Sequence, residues 1–216
     1  SDMHDSETAE LAIQAATSGR LVLSALHTNS ASACLPRLRD MGIEPFLIAN
    51  TTRVIIGQRL VRRLCEDCRE AVVPDASTLR KISKALLFDE PINMKRVHEL
   101  ETQALASGVG KTDVSGNKSG STVKLSSSET KILRIWKACD GGCRSCNQTG
   151  YKGRLGIYEI FEMTAEASKV VLQGGGKAEL FTQATKDGMI TMVQDAFGKA
   201  KRGITTIEEI LRVTKD

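Results

Sequence analysis

The most explicit chemistry in this chain is carried by two cysteine pairs, Cys65-Glu-Asp-Cys68 and Cys143-Arg-Ser-Cys146. Two residues between cysteines let both thiolates face one ion, and two such knuckles complete a tetrahedral shell of four sulfurs. Gly141-Gly142 before the second pair and Gly150 after it give the backbone room to fold tightly round that ion. A closed four-sulfur shell leaves no open position, so Cys65, Cys68, Cys143 and Cys146 point to a structural Zn2+ and not to a catalytic metal. A redox dithiol is the rival for either pair alone, but no βαβ pattern of the thioredoxin kind surrounds them. About 74 residues lie between the pairs, far beyond the gap of a compact zinc ribbon, so the intervening chain must loop out and return. Cys139, four before Cys143, is a competing ligand. Cys34 reads as a small buried hydrophobe on a helix, and His98 as a surface histidine.

The second candidate is His27-Thr28-Asn29, which follows the apolar run Leu-Val-Leu-Ser-Ala-Leu at 21–26. Such a run predicts a strand buried on both faces of a parallel sheet, and ligands of open α/β sheets bind at the carboxyl ends of strands. A helix is expected over 5–18, with Asp5 or Ser6 as its N-cap and Gly19 as its stop. A second helix fits 30–41, interrupted or shifted by Pro36 and closed by Gly42. Pro45 suits the first turn of a third, apolar helix through Phe46, Leu47, Ile48, Val54, Ile55 and Ile56. A strand over 58–64 then leads into Cys65. Residues 77–100 have amphipathic helical spacing. The stretch 107–130 is Gly, Ser, Lys and Thr with few bulky apolar residues, the composition of a mobile loop. A strand over 155–161 and further helices follow, and Thr205-Thr206-Ile207-Glu208-Glu209 offers two overlapping capping boxes.

Composition places these elements in an ordinary globular chain of 216 residues, 41% hydrophobic and 26% charged. Aromatics make up 4%, so aliphatic side chains must dominate the core. No run approaches 18 apolar residues, and the polar, acidic start lacks a signal peptide's pattern, so a cytoplasmic location is expected. The charge of +4 is spread over 30 basic and 26 acidic residues, which argues against a nucleic-acid partner. Arg59, Arg62 and Arg63 cluster beside Cys65, where they also fit a solvated face.

The segment Asp5-Ser-Glu-Thr-Ala-Glu through Leu26-His27-Thr28-Asn29 resembles the secretion (traffic) ATPase family, with its acidic box and its Leu-His-Thr-Asn histidine box. Arg37-Leu-Arg-Asp-Met-Gly-Ile-Glu-Pro45, Gln58-Arg-Leu-Val-Arg-Arg-Leu-Cys65, Cys146-Asn-Gln-Thr-Gly-Tyr-Lys-Gly-Arg-Leu-Gly-Ile-Tyr-Glu159 and Gly203-Ile-Thr-Thr-Ile-Glu-Glu-Ile-Leu-Arg-Val-Thr214 are similar to family segments in the same order. The resemblance implies the carboxy-terminal part of a hexameric motor that spends ATP, with Mg2+, on assembling type IV pili or a type II secretion pseudopilus. It implies a peripheral seat on the inner face of the cytoplasmic membrane, against a platform protein of the machine. His27 and Asp5 would be its catalytic residues, and Thr28 and Arg154 its nucleotide contacts. The paired C-x-x-C motifs favour the assembly and secretion branch over the retraction branch.

Two departures stand out. No G-x-x-x-x-G-K-[ST] occurs, so the phosphate cradle is missing and the fragment should be inactive alone. The family's Gly-Glu-Ile-Arg-Asp reads here Ser1-Asp2-Met3-His4-Asp5: either Ser1 to Met3 are foreign to that box, or Asp2 replaces its glutamate. The expected architecture is α/β. Residues 4–64 close a RecA-like core, 65–154 form the zinc region with an insertion at about 77–138, and 155–216 form a strand and a small helical bundle. A stand-alone zinc module that docks protein or nucleic acid is the reading from another class.

Overall fold

Asp5 opens the first helix, α1 (Ser6–Thr17), because its carboxylate accepts the otherwise unpaired Thr8 N–H at 2.8 Å. Gly19 closes that helix at φ 86°, its N–H bonding Ala16 O at 3.0 Å, as the sequence predicts. The computed structural model describes residues 2–72 and 135–214. The helix expected over 77–100 and the loop expected over 107–130 lie outside the described residues. The described part is a mixture of helices and strands in two compact units, residues 2–57 with 159–191, and residues 58–72 and 135–158 with 192–214.

In the first unit α2 (Ala31–Asp40) and α3 (Pro45–Thr51) join α1. Pro36 sits inside α2 and removes the N–H that would reach Ser32 O, yet the helix runs on to Asp40. α4 (Ala165–Leu172) and α5 (Lys177–Lys186) complete the set, α2 packing on α5 and α3 on α4. The core is aliphatic apart from one aromatic ring: Ala9, Ile13, Leu35, Leu38, Ile48, Ala167, Val171 and Leu180 surround Phe161. Each fully buried Leu, Ile, Val or Phe side chain among them contributes about 1.5–3 kcal/mol relative to exposure.

Two expectations fail here. The run 21–26 is not a strand buried on both faces: Leu21 is 88% and Leu23 80% exposed, and Ala25 makes a single parallel bridge to Asp2. A parallel strand takes both its burial and its ladder from neighbours, and among the described residues that one bridge is what it has. The third helix also stops at Thr51, five residues short of Ile56, and Val54-Ile55-Ile56 begins strand β1 (Val54–Leu64). Three consecutive β-branched residues lose side-chain freedom in a helix and pack well on a pleated surface.

β1 pairs with β4 (Tyr151–Glu162). The bonds Met163 N–H to Arg53 O (2.9 Å) and Cys65 N–H to Gly150 O (3.0 Å) mark an antiparallel run. The second unit adds β2 (Glu70–Val72) and β3 (Ile135–Lys137), antiparallel with Ala71 opposite Trp136, and the helices α6 (Met192–Lys201) and α7 (Ile207–Thr214). Val61, Ile157, Ala196, Phe197, Ile207 and Ile210 form its core.

Gly203 ends α6 with φ 71°, and a Cβ there would stand 2.8 Å from the Trp136 ring. The ring is covered on another side by the Arg69 guanidinium, 4.9 Å from its centre, which donates to Gly203 O at 2.6 Å. Gly203→Ala therefore meets both a left-handed backbone and an occupied space. It is expected to lower unfolding free energy by about 2 kcal/mol, read from urea titration, and an unchanged midpoint would contradict this packing.

Candidate functional site

Cys65 follows directly on β1, so the pairing of β1 with β4 fixes the first knuckle's position. Its carbonyl accepts the N–H groups of Cys68 (3.4 Å) and Arg69 (3.0 Å), bending the chain so that both thiols face one way. The second knuckle is a 3-10 turn, Arg144–Cys146, with Cys146 N–H bonded to Cys143 O at 3.2 Å. Gly142 is the residue this turn requires: at φ 60° its ideal Cβ would lie 2.3 Å from the backbone carbon of Gln148.

The two knuckles bring Cys65, Cys68, Cys143 and Cys146 together, with all four sulfurs within 4.8 Å of one another. Sγ separations are 3.7 Å for Cys65–Cys143, 3.9 Å for Cys68–Cys146 and 3.7 Å for Cys143–Cys146. A tetrahedron with Zn–S bonds of about 2.3 Å has edges of about 3.8 Å, and these three separations match it. Disulfides would need about 2.05 Å, and all six cysteines of the chain are free.

Electrostatics within the cluster are uneven. Backbone N–H groups of Cys143 and Gly150, each 3.2 Å from the sulfur, favour the Cys146 thiolate and hold its pKa at about 6. Burial pushes the Cys65 thiol up. The Cys68 thiol is raised chiefly by its hydrogen bond with Cys139, which places that fifth thiol beside the quartet. Desolvation lifts Cys34, a half-buried α2 residue, to about 11, as for an inert small hydrophobe.

In the same unit lies a residue that the sequence marked only as part of a capping box. Glu209, completely buried, accepts the Arg62 backbone N–H at 2.8 Å and the guanidinium groups of Arg62 (2.7 Å) and Arg212 (2.8 and 2.9 Å). These donors, Arg212 first, hold its carboxyl at about 2. Thr206 accepts the Glu209 N–H at 3.2 Å, so half of one expected capping box forms, while Thr205 Oγ1 instead donates to Arg62 O at 2.8 Å. The Arg59, Arg62 and Arg63 cluster is engaged throughout, with Val213 O, Glu209 and Glu66 respectively.

In the first unit the histidine loop runs from the bridged Ala25 to Ser30. His27 is exposed, its ring stacked on His4 at 5.3 Å and 23°. Thr28 Oγ1 donates to Ser30 O at 3.0 Å, tightening the entry to α2. Asp5 is committed to its cap, and the Thr8 N–H lowers its pKa. Behind the loop stands Glu159, 6% exposed, another residue the sequence reading passed over. Its Oε1 accepts the Ala31 N–H at 2.5 Å, anchoring the start of α2. Gly57 makes room for it, since a Cβ there would meet Glu159 Cγ at 2.8 Å. Arg154 is an exposed residue of β4 in the second unit.

Residues 2–212 match the family described as type II/IV secretion system protein. The chain is similar to the type IV pilus assembly ATPase PilB of Thermus thermophilus, 34% identical over 99% of this chain and 19% of that protein. It is 35% identical to the type II secretion system protein HxcR of Pseudomonas aeruginosa, over 100% of this chain and 33% of that one. Type II secretion system protein E of Klebsiella pneumoniae is 34% identical over 99% of this chain and 33% of its own length. The chain thus spans a third or less of the length of these relatives. Among the described residues, no helix is long and apolar enough to cross a membrane.

Proposed function

Since this chain belongs to the type II/IV secretion system protein family, we propose that it is the carboxy-terminal portion of a hexameric motor ATPase that drives assembly of type IV pili or a type II secretion pseudopilus. The observation that carries the reading is the match over residues 2–212, together with relatives named as ATPases of both machines. In this reading residues 4–64 close a RecA-like core, 65–154 form the zinc region, and 155–216 form the last strand and helical subdomain. His27, at the exposed head of the histidine loop, faces the γ-phosphate of a Mg2+-bound ATP, with Thr28 beside it. Asp5 belongs to the acidic box, and Arg154 is the adenine contact. The motor works at the cytoplasmic face of the inner membrane against a platform protein.

Cys65, Cys68, Cys143 and Cys146 hold one structural zinc, and the near-tetrahedral sulfur separations support that assignment. When bound, the ion supplies folding free energy and no catalytic position. The 216 residues contain no phosphate-cradling G-x-x-x-x-G-K-[ST], so by themselves they turn over no ATP.

The test uses the longer motor protein containing this segment. His27→Ala is expected to lower ATP turnover by about 10²-fold, the scale set by losing one hydrogen-bond donor to developing charge, while zinc content stays constant. Unchanged turnover would remove His27 from the catalytic assignment.

A further inference from the structure

We propose that Arg69 is a latch that couples the metal state of the cysteine centre to the turn between α6 and α7. The inference rests on the reading of Cys65, Cys68, Cys143 and Cys146 as a zinc site, and it gives a positioning role to a residue that is not a ligand.

The turn Gly203-Ile204-Thr205 is fastened to both arms of the first knuckle. Before the cysteines, Leu64 N–H donates to Ile204 O and Thr205 Oγ1 donates to Arg62 O, each at 2.8 Å. After them, the Arg69 guanidinium donates to Gly203 O at 2.6 Å. Three consecutive turn residues therefore span the bend whose apex carries Cys65 and Cys68. In the backbone that bend is closed by bonds to Cys65 O from Cys68 N–H at 3.4 Å and Arg69 N–H at 3.0 Å. The first is long for an amide bond, so the angle between the arms depends on the ion that joins the two sulfurs.

Of the three fastenings, the Arg69 bond is the one that can let go. The arm before the cysteines is held by the pairing of β1 with β4 and by the burial of Leu64. Arg69 instead lies between Gly203 O and the Trp136 ring, 4.9 Å from its centre, and its Nε is buried with no acceptor among the described residues. A desolvated donor without a partner is costly, so the side chain stays in place only while the knuckle holds its backbone there. Releasing it frees Gly203 O, and with it the turn that leads through the buried Thr205 and Thr206 into α7 and Glu209. Such coupling is reciprocal: whatever loosens the turn also weakens the hold on the ion.

The experiment takes the zinc-loaded chain and follows two rates, transfer of zinc to a chromogenic chelator and hydrogen exchange of the Gly203 and Ile204 amides. These amides bond Ala200 O and Lys199 O, so their exchange reports the end of α6 and the turn itself. Arg69→Leu is expected to load zinc and yet to speed both rates about tenfold, the scale of one hydrogen bond to a charged group, while the amides of α1 in the other unit keep theirs. Arg69→Lys keeps the charge but not the planar fork over Trp136, so it should fall between, and it carries the same test should the leucine variant not fold. One rate moving without the other, or neither moving, overturns the latch and leaves the zinc site standing. Absence of zinc from reduced wild type overturns the site and the latch with it.

Discussion

A Cys146→Ser chain is expected to carry no zinc and to unfold the second unit well before the wild type. Cys146 is the sulfur with the strongest local support. It is nearly inaccessible, two backbone N–H groups point at it, and its pKa of about 6 makes it largely thiolate at neutral pH. Serine keeps the shape of the turn but replaces a soft, ionised ligand with a neutral hydroxyl. Structural zinc in small sites contributes on the order of 10 kcal/mol, so losing one of four ligands should dominate the stability of the region around residues 65–72 and 135–150. Elemental analysis of both chains gives the first readout, about one zinc in the wild type and none in the variant. Thermal unfolding with and without chelator gives the second. Cys34→Ser, which alters a residue of the first unit, should retain its metal. Zinc retained by Cys146→Ser, or absent from wild type kept reduced, would refute the four-sulfur site.

Glu209→Gln is expected to cost about 3 kcal/mol at pH 7. Breaking a buried pair usually costs about 3–5 kcal/mol, and the lower end applies because Arg62 and Arg212 are half exposed and recover water. The buried partner is the carboxylate, with 1% of its side chain accessible, and it gathers both guanidinium groups and the Arg62 N–H. An amide of the same shape cannot accept all these bonds and carries no charge. The pH dependence follows from the same contacts. The carboxyl falls from the usual 4.5 to about 2 on folding, so its stabilisation is complete above about 4.5 and is lost as pH falls toward 2. The gap between wild type and Glu209→Gln in urea unfolding should therefore be constant from pH 7 to 5 and narrow below 4.5. Acid loss of zinc affects both chains alike and cancels in the comparison. A gap that widens in acid would mean the carboxylate is not the stabilising species.

What the sequence determined by itself lies within a few residues along the chain. The Asp5 cap, the Gly19 and Gly42 stops, Pro45 at the start of α3 and the inward turn of each C-x-x-C knuckle depend on bonds spanning three or four positions. Backbone geometry alone nearly decides such bonds. The resemblance of ordered segments also carried the family, because motif order survives where individual contacts cannot be read.

Tertiary structure decided which distant groups meet. Cys65 faces Cys143 across 78 positions, Glu159 anchors Ala31 across 128, and Glu209 receives Arg62 across 147. The burial of Glu209 and Glu159 was not legible in the sequence, because a buried charge is distinguished by its partners, which no local pattern specifies. The same reason explains the errors. Leu21 and Leu23 read as buried because apolar runs usually are, and Val54 to Ile56 read as helix because apolar spacing was weighed above β-branching. Burial belongs to the neighbours a segment finds, and those come from the folded chain.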